Sequence, residues 1–151
     1  VKAIQLACIG ELSARIWKAA ASEKNIIFDA PSKVAAFYME EMRHLEQENL
    51  KLLLLNTKNI LLRDITVSRG TVNASCATPR EIYIEALRFR ACGIILLHNH
   101  PSGDPTPSRE DCLFTERVRE AGSLMGVPLL DHIIIGDNSY VSLRERGIFE
   151  T

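Results

Sequence analysis

The stretch Gly93-Ile94-Ile95-Leu96-Leu97 is apolar throughout and runs directly into His98-Asn99-His100. A half-exposed strand alternates apolar with polar side chains, so an unbroken apolar run of this length reads as a strand covered on both faces. Such a strand is central to a sheet with further elements packed above and below it, which makes the fold a mixed α/β structure. The chain is large enough for this: 151 residues, 46% hydrophobic and 25% charged, suit one domain with a sizeable core and exclude disordered, collagen-like and coiled-coil classes. With 18 basic and 19 acidic residues and a net charge of -1, it lacks the broad positive field used for non-specific binding to nucleic acid or anionic membranes.

No apolar run approaches the roughly 18 residues of a membrane span, and Glu11 and Arg15 interrupt the stretch that a signal peptide would need to keep apolar. A cytoplasmic location without membrane contact is expected. Val1 in place of a methionine suggests a piece of something longer. Cys8, Cys76, Cys92 and Cys112 show no CxxC pairing, and they are expected to be reduced thiols in the core.

Ile4, Cys8, Leu12, Ile16 and Ala19 recur at helical spacing and predict an amphipathic helix over 2–22. Asp29, Pro31 and Ser32 can start a second helix, with Val34, Phe37, Tyr38 and Met42 on one face. The segment ENLKLLLLNTKNILLRDITV holds two apolar runs around Asn56-Thr57-Lys58-Asn59, the pattern of an antiparallel hairpin. A short Thr/Val/Asn stretch after Gly70 leaves room for a third strand. Thr78-Pro79 then starts a helix expected to reach about Ala91. A further helix is predicted from Arg109 to Met125, ended by Gly126, with Leu113, Val118, Ala121 and Leu124 as its apolar face. Val127 to Ile135 reads as a strand, and a turn leads into Tyr140-Val141. Asp131 and His132 read as an ordinary strand start, with support of a metal ligand as the minority reading, and His44, Arg88 and Arg90 read as solvated.

His98 and His100 are separated by one residue at the end of the central strand, so in extended chain their side chains face the same way. Asp111 falls in the first turn of the next helix, which the proline-rich loop PSGDPTP can bring back over the strand end. Two imidazoles and one carboxylate, with a fourth position left for water, form the ligand set of a catalytic zinc site; structural zinc sites are closed by four ligands rich in cysteine. One zinc ion per chain is therefore expected, held by His98, His100 and Asp111.

The segment HNHPSGDPTPSRED resembles the signature of JAMM (MPN-type) metalloproteases: His-x-His, seven residues, then Ser-x-x-Asp, with a glutamate far upstream. Asn99 stands where deubiquitinating members of that family commonly have Ser or Thr. Together with GTVNASCATPREIYIEAL and LLDHIIIGDNSYVSLRERG, the Asn-containing HNHPSG is similar to the RadC branch, over about residues 45–150. The resemblance implies a mixed sheet flanked by helices, related to cytidine deaminases. It also implies a helical lead-in over 1–30 left from a helix-hairpin-helix module, and a catalytic domain over 31–151. By the same resemblance a glutamate before the first strand is the general base. EQENLKLLLL offers Glu46 and Glu48; Glu48 adjoins the strand and shares the parity of Leu50, Leu52 and Leu54, and Asp64 on the return strand is the next carboxylate. Ser108 could steady an oxyanion while also capping the helix.

The leading function on this reading is zinc-dependent hydrolysis of a peptide or isopeptide bond in a peptide or protein substrate. The alternative is a DNA repair or recombination accessory protein, DNA-binding or nuclease-like, contacting nucleic acid through the module that precedes the domain. A nucleobase deaminase is disfavoured because HxE and PCxxC are both missing. A non-catalytic interaction module would keep the ligands without turnover.

Overall fold

The computed structural model describes residues 4, 8–13, 26–70 and 77–149. In chain order the elements are α1 (Pro31–Met42), β1 (Asn49–Leu55), β2 (Leu61–Arg69), α2 (Pro79–Arg88), β3 (Gly93–Asn99), α3 (Arg109–Met125), β4 (Leu129–Ile135) and β5 (Tyr140–Ser142). The strands form one mixed sheet in the order β2-β1-β3-β4-β5, in which only β3 and β4 run parallel. This is the α/β architecture expected, with the run at Gly93 in the middle: every residue of β3 is buried.

Strand alternation divides the interior into two cores. Leu50, Leu52, Leu54, Ile94, Leu96 and Ile134 face α2 and α3, meeting Ile82, Tyr83, Phe114 and Val118. On the other face Leu53, Leu55, Ile95, Leu97, Ile133 and Ile135 meet Phe28 and the Val34, Ala35, Tyr38 and Met42 side of α1. The β1–β2 connection turns on Asn56, whose side-chain oxygen accepts the Lys58 and Ile60 amides at 2.8 and 3.1 Å, and on Asn59 at φ 55°.

Both helices that follow begin with reciprocal caps: Thr78 with Glu81 on α2, and Ser108 with Asp111 on α3. Gly126 ends α3 in the left-handed conformation, as its position predicts. Three boundaries or faces differ from expectation. Helix α2 stops at Arg88, short of Ala91, because Arg90 takes φ 52° and reverses the chain into β3. Strand β4 starts at Leu129, since Pro128 has no amide to give to a ladder. The inward face of α3 is Asp111, Phe114, Thr115, Val118 and Gly122, whereas Leu113 and Leu124 are 54% and 88% exposed.

The three described cysteines are free but not core residues: Cys8 and Cys92 are exposed and Cys112 is half-buried, while Cys76 lies outside the described residues. The lead-in is helical where it is described, at Ile4 and over 8–13, with Ile4, Ile9 and Leu12 exposed. The rest of that predicted helix, and the stretch that left room for a third strand, also fall outside the described residues. No described helix is long and apolar enough to cross a membrane.

Helices α2 and α3 touch at Gly122, where an added Cβ would lie 2.3 Å from the Tyr83 hydroxyl and 2.7 Å from the Val127 carbonyl. The hydroxyl cannot retreat without leaving the Val118 carbonyl, to which it donates at 3.0 Å. Gly122→Ala should therefore destabilise the fold by about 1–3 kcal/mol despite alanine's better helix propensity. Thermal unfolding of the two proteins checks this, and an unchanged or raised midpoint would contradict it.

Candidate metal centre

The site forms where β3 ends. Ile94, Leu96 and His98 point to the α2/α3 face of the sheet, and His100 lies just past the strand on the same parity. The chain then runs through the proline-rich loop and enters α3, whose first turn returns over the end of β3 and brings Asp111 to the histidines. The Nε2 atoms of His98 and His100 are 3.0 Å apart. Asp111 Oδ1 lies 3.3 Å from His98 Nε2, and Oδ2 lies 3.5 Å from His100 Nε2. Tetrahedral ligands 2.0–2.1 Å from a common zinc ion sit about 3.3 Å from each other. These three residues thus form a group that could hold one metal ion, with nitrogen and oxygen donors and no cysteine. His98 is completely buried, Asp111 nearly so and His100 half-buried, so the group reaches solvent at His100.

Each ligand candidate is oriented by a further hydrogen bond. His100 Nδ1 donates to the Asp104 carbonyl at 2.8 Å, which turns its Nε2 inward. Asp111 Oδ2 accepts both the amide and the hydroxyl of Ser108 at 2.7 Å, and Ser108 Oγ accepts the Asp111 amide at 3.1 Å. One capping box therefore starts the helix and aims the carboxylate. Burial opposes ionisation of Asp111, but the imidazoles of His100 and His98 and the Ser108 hydroxyl outweigh it and hold the carboxyl well below the usual carboxylate range. His100 moves the other way: its contact with Asp111 raises its pKa against the effect of burial, and Glu48 adds to the rise.

His132 is the residue the sequence undervalued. It is not an ordinary strand-start residue: it lies on β4 with Ile134 toward α3, fully buried, with Nε2 2.8 Å from His98 Nδ1 and Nδ1 2.6 Å from Thr115 Oγ. Burial, with His98 as a second cause, keeps it neutral by lowering its pKa well below the ordinary histidine value. Asp131 points to the opposite face and accepts from Ser142 Oγ at 2.6 Å and from the His132 and Arg144 amides. Thr115 escaped notice altogether. The available signal was parity: two adjacent polar residues in a strand buried on both faces must each find a partner on opposite sides.

Glu48 lies just ahead of β1, and continuing the β1–β3 register two residues beyond the Leu50–His98 pair sets it across from His100. Glu46 sits in a bend ahead of β1, so strand parity does not extend to it, and it is exposed. Asp64 faces α1 instead, 3.5 Å from Lys51 Nζ, which also pairs with Glu41 at 2.8 Å. Asn99, between the two histidines, is turned away from them and clamps the segment that carries Glu48. Its Oδ1 accepts the Asn49 amide at 2.8 Å, and its Nδ2 donates to the Gln47 and Leu45 carbonyls at 3.2 and 3.4 Å.

Because Asn99 is 1% exposed, removing its amide leaves those backbone groups without replacements. Asn99→Ala is expected to speed hydrogen exchange at the Asn49 amide and to cost about 1–3 kcal/mol of stability. Unchanged exchange at Asn49 would show that the clamp is incidental.

Comparison with known proteins agrees with the motif. The family model of the RadC-like JAB domain matches residues 28–148. A UPF0758 protein of Clostridium botulinum strain Langeland is 49% identical over 148 residues, which cover 97% of this chain and 64% of that protein. A UPF0758 protein of Desulforamulus reducens is 48% identical over 148 residues, covering 98% of this chain and 65% of the relative. The chain thus spans a little under two thirds of the length of these relatives, whose names assign no activity. The five-stranded mixed sheet with helices on both faces is consistent with a JAB/MPN-type fold. On the match over most of its length, the chain belongs to the RadC-like JAB domain family.

Proposed function

We propose that this chain is a zinc-dependent hydrolase of the JAMM type that cleaves a peptide or isopeptide bond. His98, His100 and Asp111 would hold one zinc ion, Glu48 would act as general base and Ser108 as a donor to the developing oxyanion. The observation that carries the reading is the three-donor group itself: at tetrahedral spacing, free of cysteine, and reaching solvent at His100. A zinc ion bound there supplies Lewis acidity and a water acidified to near neutrality. Glu48, across from His100 and electrostatically coupled to it, is suited to accept the water proton on its carboxylate and return it to the leaving amine nitrogen. The Ser108 hydroxyl, which now donates to Asp111 Oδ2, would have to turn toward substrate to assist. On this reading residues 31–151 are the hydrolase, and residues 1–30 are the end of a preceding helical module that would be the part to contact nucleic acid.

The purified chain is expected to bind about one zinc ion, and His98→Ala and Asp111→Ala should lose it while helices and strands persist. A core of this size does not need the metal to fold. Elemental analysis with circular dichroism checks both, and an absence of metal after zinc-replete expression would refute the site.

Glu48→Gln keeps the shape and hydrogen bonding of the side chain but cannot accept a proton. It should retain zinc and lose on the order of 10²- to 10⁴-fold in turnover, the usual contribution of a positioned acid/base. Glu46→Gln should remain near wild type. The assay is cleavage of a labelled peptide pool, run beside labelled single-stranded DNA. Zinc-loaded protein that cuts DNA and no peptide would replace this reading with the DNA-processing one.

A further inference from the structure

A chain of three short contacts links α3 to the back of His98. Thr115 Oγ lies 2.6 Å from the Asp111 carbonyl and 2.6 Å from His132 Nδ1, and His132 Nε2 lies 2.8 Å from His98 Nδ1. Thr115, His132 and His98 are each 0% exposed, so no bulk water competes for these atoms. The direction of the chain follows from its α3 end. A carbonyl oxygen only accepts, so the Thr115 hydroxyl donates to Asp111, one helical turn back. That commits its single proton, and Thr115 Oγ must accept from His132 Nδ1–H. A neutral His132 protonated on Nδ1 has a bare Nε2, which accepts from His98 Nδ1–H. His98 Nε2 is left with a free lone pair facing His100 and Asp111.

We propose that Thr115 and His132 are positioning residues that lock His98 in its Nδ1–H tautomer, so that Nε2 is presented to a metal ion before the ion arrives. The choice matters because His100 has none: the Asp104 carbonyl fixes its proton on Nδ1. Were His98 protonated on Nε2 instead, it would donate to His100 Nε2, 3.0 Å away, and close the site against a cation. The ordered chain removes that competing state. It also makes Asp111 act twice, through its carboxylate in the site and through its carbonyl at the origin of the chain.

The proposal rests on the metal reading for the identity of the ion, and it is tested separately from that reading. Long-range proton–nitrogen correlation spectra of the metal-free chain, taken at about pH 8, above the ordinary histidine range, should show His98 protonated on Nδ1. Thr115→Val keeps the volume but removes the hydroxyl. His98 should then populate both tautomers, and zinc should bind roughly 10-fold more weakly, within the 10–100-fold range of such supporting groups. Thr115→Ser, which keeps the hydroxyl, should restore both properties. Wild-type His98 protonated on Nε2 would overturn the proposal, and so would Thr115→Val with an unchanged tautomer and zinc affinity. The wild-type spectrum decides even if the valine variant fails to fold. Zinc titration of the wild type bears on the metal reading, whereas the tautomer spectra bear on the chain alone.

Discussion

Asp111 must stay ionised while only 4% of it reaches solvent, and much of the surrounding structure answers that demand. A buried carboxylate is tolerated only where charge and hydrogen bonds compensate its lost hydration. Here the compensation comes from two directions. The first turn of α3 supplies the positive end of a helix and the Ser108 amide and hydroxyl. The His100 imidazole, just past the end of β3, faces the carboxylate from the other side, and its contact with Asp111 raises its pKa. The carboxylate consequently fixes both where α3 begins and how that helix sits over the sheet.

The inner face of α3 shows why the sequence misled where it did. Leu113 and Leu124 fall on one helical stripe and look like a core face, yet both are exposed. The stripe that packs inward holds Asp111, Thr115 and Gly122 beside Phe114 and Val118. An apolar count discards those three residues, although each is there for a reason: one is a candidate ligand, one hydrogen-bonds to the imidazole behind another candidate ligand, and one lets α2 approach. Apolar periodicity finds core helices well and fails on a helix whose buried face is half site.

Where the determinants were local, the sequence was legible. The cap-and-glycine limits of α3, the hairpin around Asn56 and the central position of β3 all come from residues within a few positions of the feature. His98, His100 and Asp111 were legible for a similar reason, since the spacing HxH and a helix start eleven residues on leave little freedom. Thr115 and His132 were not, because their role exists only across 17 positions of chain and between two elements. The cysteines failed for the opposite reason: a preference for burial says nothing about any one thiol, and Cys92 stands exposed just before the most buried strand of the sheet.

The topology explains why these groups converge on one edge of the sheet and on one face. Strand β1 runs antiparallel to β3, so its start, where Glu48 lies, adjoins the end of β3, where His98 and His100 lie. Strand β4 runs parallel to β3 and carries His132 up the same face toward His98, while α3 between them must travel back and begins over the strand ends. In open α/β sheets this crevice beyond the carboxyl ends of parallel strands is where ligands bind. The other face carries α1 and its own satisfied charges, Lys51 between Glu41 and Asp64, which hold that layer together and leave the site's electrostatics to its own residues. A single β-α-β crossover thereby supplies one imidazole from its first strand and another just past it, a carboxylate and a hydroxyl from its helix, and the orienting imidazole from its second strand. The groups that would bind the metal and the Thr115–His132 pair behind His98 are thus carried by the same three elements and the loop between the first two.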